Sequence, residues 1–161
     1  MENSDYIRHK AVVYQRYKDN FDELTALEKT EFRTEVEQAF KLLPVRAVFV
    51  DFNPYSNVKQ LSNDIVHNNR MLISAEHNES RLLPGNLNLK FRAVHDYLHY
   101  VLQAPFTASG EIEVYKLQKK FHKEGISQQI LFSEVVLQAC YQEYFGKFAE
   151  VQKVVLYNGK I

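Results

Sequence analysis

His95 and His99 stand four residues apart in FRAVHDYLHY, Phe91 to Tyr100, with Asp96 directly after the first histidine. On a helix, positions i and i+4 share a face about one turn apart, so this spacing points both imidazoles the same way. Two neutral imidazoles so placed can bind one divalent metal ion, and a neighbouring carboxylate can serve as general base toward an activated water. The pattern H-D-x-x-H differs by one methylene from the H-E-x-x-H of zinc metallohydrolases. The shorter aspartate has the shorter reach. Phe91 and Leu102 continue the stripe, which places both rings at the edge of an apolar surface. The competing expectation is a packed pair, each ring capping a carbonyl or stacking on Tyr97 or Tyr100.

A tetrahedral site needs a third protein ligand. The next helix opens with GEIE, so Glu111 and Glu113 are candidates, although acidic residues also favour any helix N-terminus through the dipole. Farther along, SQQILFSEVVLQACYQEYF is apolar nearly all round, as a buried helix is. Glu134 and Gln138 nevertheless sit at i,i+4 within the stripe Leu131, Glu134, Gln138, Tyr141, Phe145. A buried carboxylate is costly unless it is paired, protonated or metal-bound. Arg92, a histidine, a metal or a backbone donor could meet it. The residues leave open whether Glu111, Glu113 or Glu134 completes the site. His9, His67, His77 and His122 lie outside the motif and are expected on the surface.

The elements that must hold these residues read as follows. Residues 5–20 are helical, and Thr25 with Glu28 forms a capping box opening a second helix that Pro44 ends. VRAVFVDF (45–52) is a strand, NPYS a turn, 57–67 a short helix, and MLIS (71–74) a second strand. After a loop at 76–88 come helices over about 87–103, 110–123 and 127–145, the last two each followed by a glycine. VQKVVLY (151–157) is either a last strand or a helix end. The expectation is α+β: a small sheet of two or three strands with a predominantly helical C-terminal half that carries the HDxxH helix. A single domain is expected over 1–161, with N-terminal helices to residue 44 and the motif-bearing region at 45–145.

Composition narrows the function. The 161 residues are 45% hydrophobic and 25% charged, with twenty basic against twenty acidic side chains. This balance makes no general electrostatic case for nucleic acid or an anionic membrane. The cluster Lys116, Lys119, Lys120, His122, Lys123 reads as one solvated helix face. One cysteine, Cys140, excludes an intramolecular disulfide. No apolar run reaches membrane-spanning length. The N-terminus has no apolar signal segment, so a cytoplasmic location is expected.

DFNPYSN, FRAVHDYLHY and the GE that follows also resemble a group of phage- and prophage-encoded proteins. That group carries a D-x-x-PY turn, a proline-containing loop, an FRAVHD-x-x-x-H helix, an aromatic residue, a GE pair and a later E-x-x-x-Q. The matching positions here are Asp51, Pro54, Tyr55, Phe91 to Asp96, His99, Phe106, Gly110, Glu111, Glu134 and Gln138. Leu98 stands where the family usually has glycine, and Ile112 and Glu113 where it has small polar residues. The resemblance implies a phage context, in the host cytoplasm or a virion, and favours Glu111 over Glu113. It implies no particular reaction. A more distant similarity is to zincin-like metallopeptidases, in which a helix with two histidines precedes a helix supplying a glutamate.

Two expectations of function follow. One is a Zn²⁺-dependent (or other divalent transition-metal) hydrolase of peptide or amide bonds, with His95, His99 and Glu111 on the metal, Asp96 or Glu134 as base, Arg92 steadying an anionic group, and Gln138 in support. The other is a non-catalytic phage structural or host-interaction protein, built on a buried His/Glu polar network and presenting its ten Tyr and eleven Phe in part as an interface, including one between copies of itself. A phosphate-ligand binder using Arg81, Arg92 and the lysines ranks last, because no glycine-rich loop supports it.

Overall fold

In a computed structural model, which describes residues 3–158, the fold is α+β. In chain order the elements are α1 (Asn3–Arg16), α2 (Ala26–Lys41), β1 (Arg46–Val50), α3 (Val58–Asn68), β2 (Arg70–Ser74), α4 (Leu87–Leu102), α5 (Ala108–Gln118), α6 (Ile126–Phe132) and α7 (Gln138–Phe145). A π-helical stretch, Ser133–Leu137, joins α6 to α7. The C-terminal half is helical, as expected. The chain divides into two compact units, one running from Arg33 to Phe106 and the other formed by the segments before and after it.

The Arg33–Phe106 unit is built on β1 and β2, which pair in parallel with Arg46 opposite Arg70 and Val50 opposite Ser74. Parallel neighbours need a crossover, and α3 supplies it. Asn57 caps α3 by accepting from the Gln60 N–H, and Asn69 ends it in the left-handed conformation. The buried centre is Leu61 and Ile65 of α3, Met71 and Ile73 of β2, and Ala93 of α4. The period-2 strand and period-4 helix positions thus converge on one core. Tyr55 ties the edge of β2 to α3. Its hydroxyl donates to Asp64 Oδ2 at 2.6 Å and accepts from the Leu72 N–H at 2.9 Å. Hydrogen bonds from Tyr55, Asn68 and Arg70 hold the Asp64 carboxyl below its ordinary pKa, against the raising effect of burial.

In the other unit α1 packs on α7, with Tyr14 edge-on to Tyr141 at 5.5 Å. Ile130, Leu131, Val136, Leu137 and Cys140 are fully buried there. The helix expected over 127–145 is interrupted by the π turn, whose wider winding is common at functional positions. Residues 151–157 form neither strand nor helix. With no strand beside it, the segment is held by side chains instead. Tyr14, Asp19, Ser133 and Asn20 accept from the N–H groups of Lys153, Val154, Val155 and Leu156 in turn. The sheet therefore has two strands among the described residues. The capping box forms as read: Thr25 N–H donates to Glu28 Oε1 at 2.8 Å, and Glu28 N–H to Thr25 Oγ1 at 3.0 Å.

Candidate metal centre

Helix α4 carries both histidines on one face. Leu89, Phe91, Ala93, Val94 and Leu98 are buried with His99, which is 0% exposed, while His95 is part-exposed. Leu102 departs from the expected stripe. It is 42% exposed, because the helix ends there and Gln103 takes the left-handed conformation. That reversal returns the chain toward His99. Ala104 N–H donates to the His99 carbonyl at 3.0 Å, and the Ala104 carbonyl lies 3.0 Å from His99 Nδ1. A carbonyl only accepts, so His99 donates from Nδ1, which in the neutral ring leaves the Nε2 lone pair as the ligand atom. The ring is fixed further by Phe106, edge-on at 5.1 Å.

His99 Nε2 faces His95 Nε2 at 3.1 Å. Two nitrogens bound to one tetrahedral zinc at ~2.05 Å would stand ~3.3 Å apart, so the pair has close to the required spacing. The rings are nearly perpendicular, 78° apart with centroids at 4.7 Å, and His95 lies parallel to Phe91 at 6.4 Å. His95, His99 and Glu111 each offer one ligand atom, all within 4.8 Å of one another. This cluster could hold a metal ion. Glu111 sits in the first turn of α5, where Thr107 caps the helix by accepting from the Gly110 N–H at 3.2 Å. Glu113 is exposed and pairs loosely with Lys116 at 3.4 Å.

The remaining candidates have other surroundings. Arg92 donates from Nη1 to the Ser74 and Glu76 carbonyls, at 2.7 and 2.6 Å, and from Nη2 to His77 O at 2.8 Å. It thereby clasps the segment leaving β2. Burial lowers its pKa, and the Asp96 carboxylate one turn on opposes that. Asp96 is part-exposed. Glu134, on the π turn, is also part-exposed, and Gln138 Nε2 donates to its Oε2 at 3.0 Å. The i,i+4 reading of that pair holds, and the partner of the carboxylate is the amide rather than Arg92. Burial pushes the Glu134 carboxyl up to about 7, opposed by the Gln138 bond and reinforced by Asp19.

Among the other histidines, His122 is not on the surface. It is 6% exposed and stacks on Phe32 at 4.7 Å. A short 3-10 turn over Lys119–Phe121 takes it off the helical face that the lysine spacing implied. His9, His67 and His77 are exposed. Sequence reasoning missed the Ala104 carbonyl, since a backbone acceptor has no residue type to announce it. Pro105, which marks the turn, was the available signal.

Among the described residues no helix is long and apolar enough to cross a membrane. Comparison with protein-family models, with curated proteins and with solved structures finds no match to the chain.

Proposed function

We propose that this protein is a metal-dependent hydrolase whose ion, zinc or another divalent transition metal, is held by His95, His99 and Glu111. The observation that carries this reading is the imidazole pair: two Nε2 atoms 3.1 Å apart with Glu111 in reach, and His99 already oriented by a carbonyl on its other nitrogen. Such an orienting partner is the usual companion of a histidine ligand. Three protein ligands leave a tetrahedral ion one position for substrate or water, which is the arrangement of catalytic rather than structural zinc. A bound ion would supply Lewis acidity toward a carbonyl. The part-exposed side of His95 gives a substrate access. Asp96, beside the pair, is the nearest residue in sequence to act as base. Peptide or amide bonds are the favoured substrate class by similarity to the zincin arrangement, and the FRAVHD-x-x-x-H resemblance suggests a phage setting.

A second reading rests on the burial of His99. With Nδ1 on Ala104 O and Nε2 on His95, a fully enclosed imidazole is satisfied without any ion. The pair would then be a polar network in a structural or host-interaction protein. Metal content of purified, untagged protein, measured by plasma mass spectrometry beside His95→Ala, His99→Ala and Glu111→Gln, separates the two. The first reading expects near-stoichiometric metal in the wild type and its loss in both histidine variants. Variants that retain as much metal as the wild type, or a wild type that takes up none when zinc is supplied, would overturn it.

A further inference from the structure

The two strands of the Arg33–Phe106 unit are covered unevenly. In their register Ala47 stands beside Met71 and Phe49 beside Ile73, so these side chains share one face of the sheet. Met71 and Ile73 are 0% exposed, whereas Ala47 is part-exposed and Phe49 is 39% exposed. No residue of β1 is buried. One side of β1 therefore lies on β2, and its other side is open among the described residues.

A single hydrogen bond shows which backbone groups face that open side. The Val50 carbonyl accepts from the Ala75 N–H at 2.7 Å, which turns Val50 toward β2. Backbone polar groups alternate sides along a strand, so those of Arg46 and Val48 also face β2, and those of Ala47 and Phe49 face away. Among the described residues nothing takes them up. The far side of β2 differs, because there the Leu72 N–H donates to the Tyr55 hydroxyl. Open edges are ordinarily guarded by a lysine, a proline, a bulge or a covering segment. The sequence RAVFV has no lysine and no proline, and its pairing with β2 runs without a bulge. Charges of opposite sign bracket it instead, Arg46 at its start and Asp51 just past its end, both exposed. Neither has a partner among the described residues. Arg46 stands beside Arg70 in the register, and Arg70 is already held by Asp64 at 3.3 Å.

We propose that the open edge of β1 is an interface between two copies of this chain, paired antiparallel about a two-fold axis. Only the outward-facing residues can exchange hydrogen bonds across such an edge. The register that overlaps the whole strand then sets Ala47 of each copy opposite Phe49 of the other, with Val48 opposite Val48 on the axis. A methyl group faces each ring, and Arg46 lies opposite Val50 rather than opposite another charge. The basic end of each strand comes alongside the acidic end of its mate. A parallel arrangement would bring like charges together, which is unfavourable.

The test is sedimentation equilibrium of the full chain, wild type beside Ala47→Pro, together with amide hydrogen exchange read residue by residue. Proline removes an N–H that faces outward, a change that an edge strand tolerates, so the variant should fold and fail to pair. The short paired segment predicts a weak dimer, populated at ~100 μM chain, and Ala47→Pro should raise its dissociation constant at least tenfold. A wild type that stays monomeric to ~500 μM, above the range of a weak but specific pairing, would overturn the proposal and leave the edge to a strand from another protein. A dimer that Ala47→Pro leaves unchanged would overturn it too, by placing the contact on another surface. Should the proline variant fail to fold, the wild type decides alone. The Ala47 and Phe49 amides must exchange more slowly as protein concentration rises, while Val48, already bonded to β2, changes little. Equal exchange of Ala47 and Phe49 at low and high concentration would overturn the proposal.

Discussion

Replacing Glu134 by glutamine should stabilise the protein, and by an amount that grows with pH. Folding carries this carboxyl from an ordinary pKa of 4.5 to about 7. The native state thus holds the proton more tightly than the unfolded chain. Below pH 4.5 the group is protonated in both states and costs nothing. As pH rises from 4.5 to 7 the unfolded chain ionises first, and native stability falls throughout that window. Each pKa unit corresponds to about 1.4 kcal/mol, so a rise of about 2.5 units amounts to about 3 kcal/mol at pH 8. Partial exposure of the side chain reduces this to about 2–3 kcal/mol. Glutamine has the same shape, carries no charge and still offers an oxygen to Gln138 Nε2. Urea unfolding of wild type and Glu134→Gln at pH 4.5, 6 and 8 reads the effect directly. The two should nearly coincide at pH 4.5, and the variant should lead by about 2–3 kcal/mol at pH 8. A difference that is constant across pH, or that shrinks as pH rises, would refute the idea that burial of an ionisable group at the π turn costs the native state.

Two further outcomes follow from named hydrogen bonds. Thr25→Ala removes one half of the reciprocal cap on α2 and should cost about 1 kcal/mol in the same urea assay. Tyr55→Phe leaves the Leu72 N–H without its acceptor and removes the Tyr55 donor from Asp64 Oδ2, while Asn68 and Arg70 still donate to Oδ1. It should cost about 1–3 kcal/mol, and amide exchange should quicken along β2 more than along β1.

The local features were legible because each is written in neighbouring residues. The Thr25–Glu28 box, the stop at Gly146, the strands at 46–50 and 70–74 and the i,i+4 placement of His95 and His99 all depend on periods and caps shorter than about two helical turns. The α+β class followed from the same signals. What went astray involved distant partners. The segment 151–157 has the residues of a strand but no strand to pair with, so its N–H groups go to Tyr14, Asp19, Asn20 and Ser133. His122 has surface company in sequence yet stacks on Phe32, ninety positions away.

The candidate centre divides along the same line. Residue types and spacing alone determined that two imidazoles share one helix face, and that an acidic helix start follows within reach of a short turn. They could not choose among Glu111, Glu113 and Glu134, because a carboxylate's value as a ligand depends on where its oxygen stands in space. A group of His95, His99 and Glu111 that could hold a metal ion is a matter of such distances. Tertiary structure also turned His99 Nδ1 to the Ala104 carbonyl and left Lys10 caged by three rings drawn from separate segments. Those are properties of through-space distance and of desolvation, and neither is encoded in any one stretch of chain.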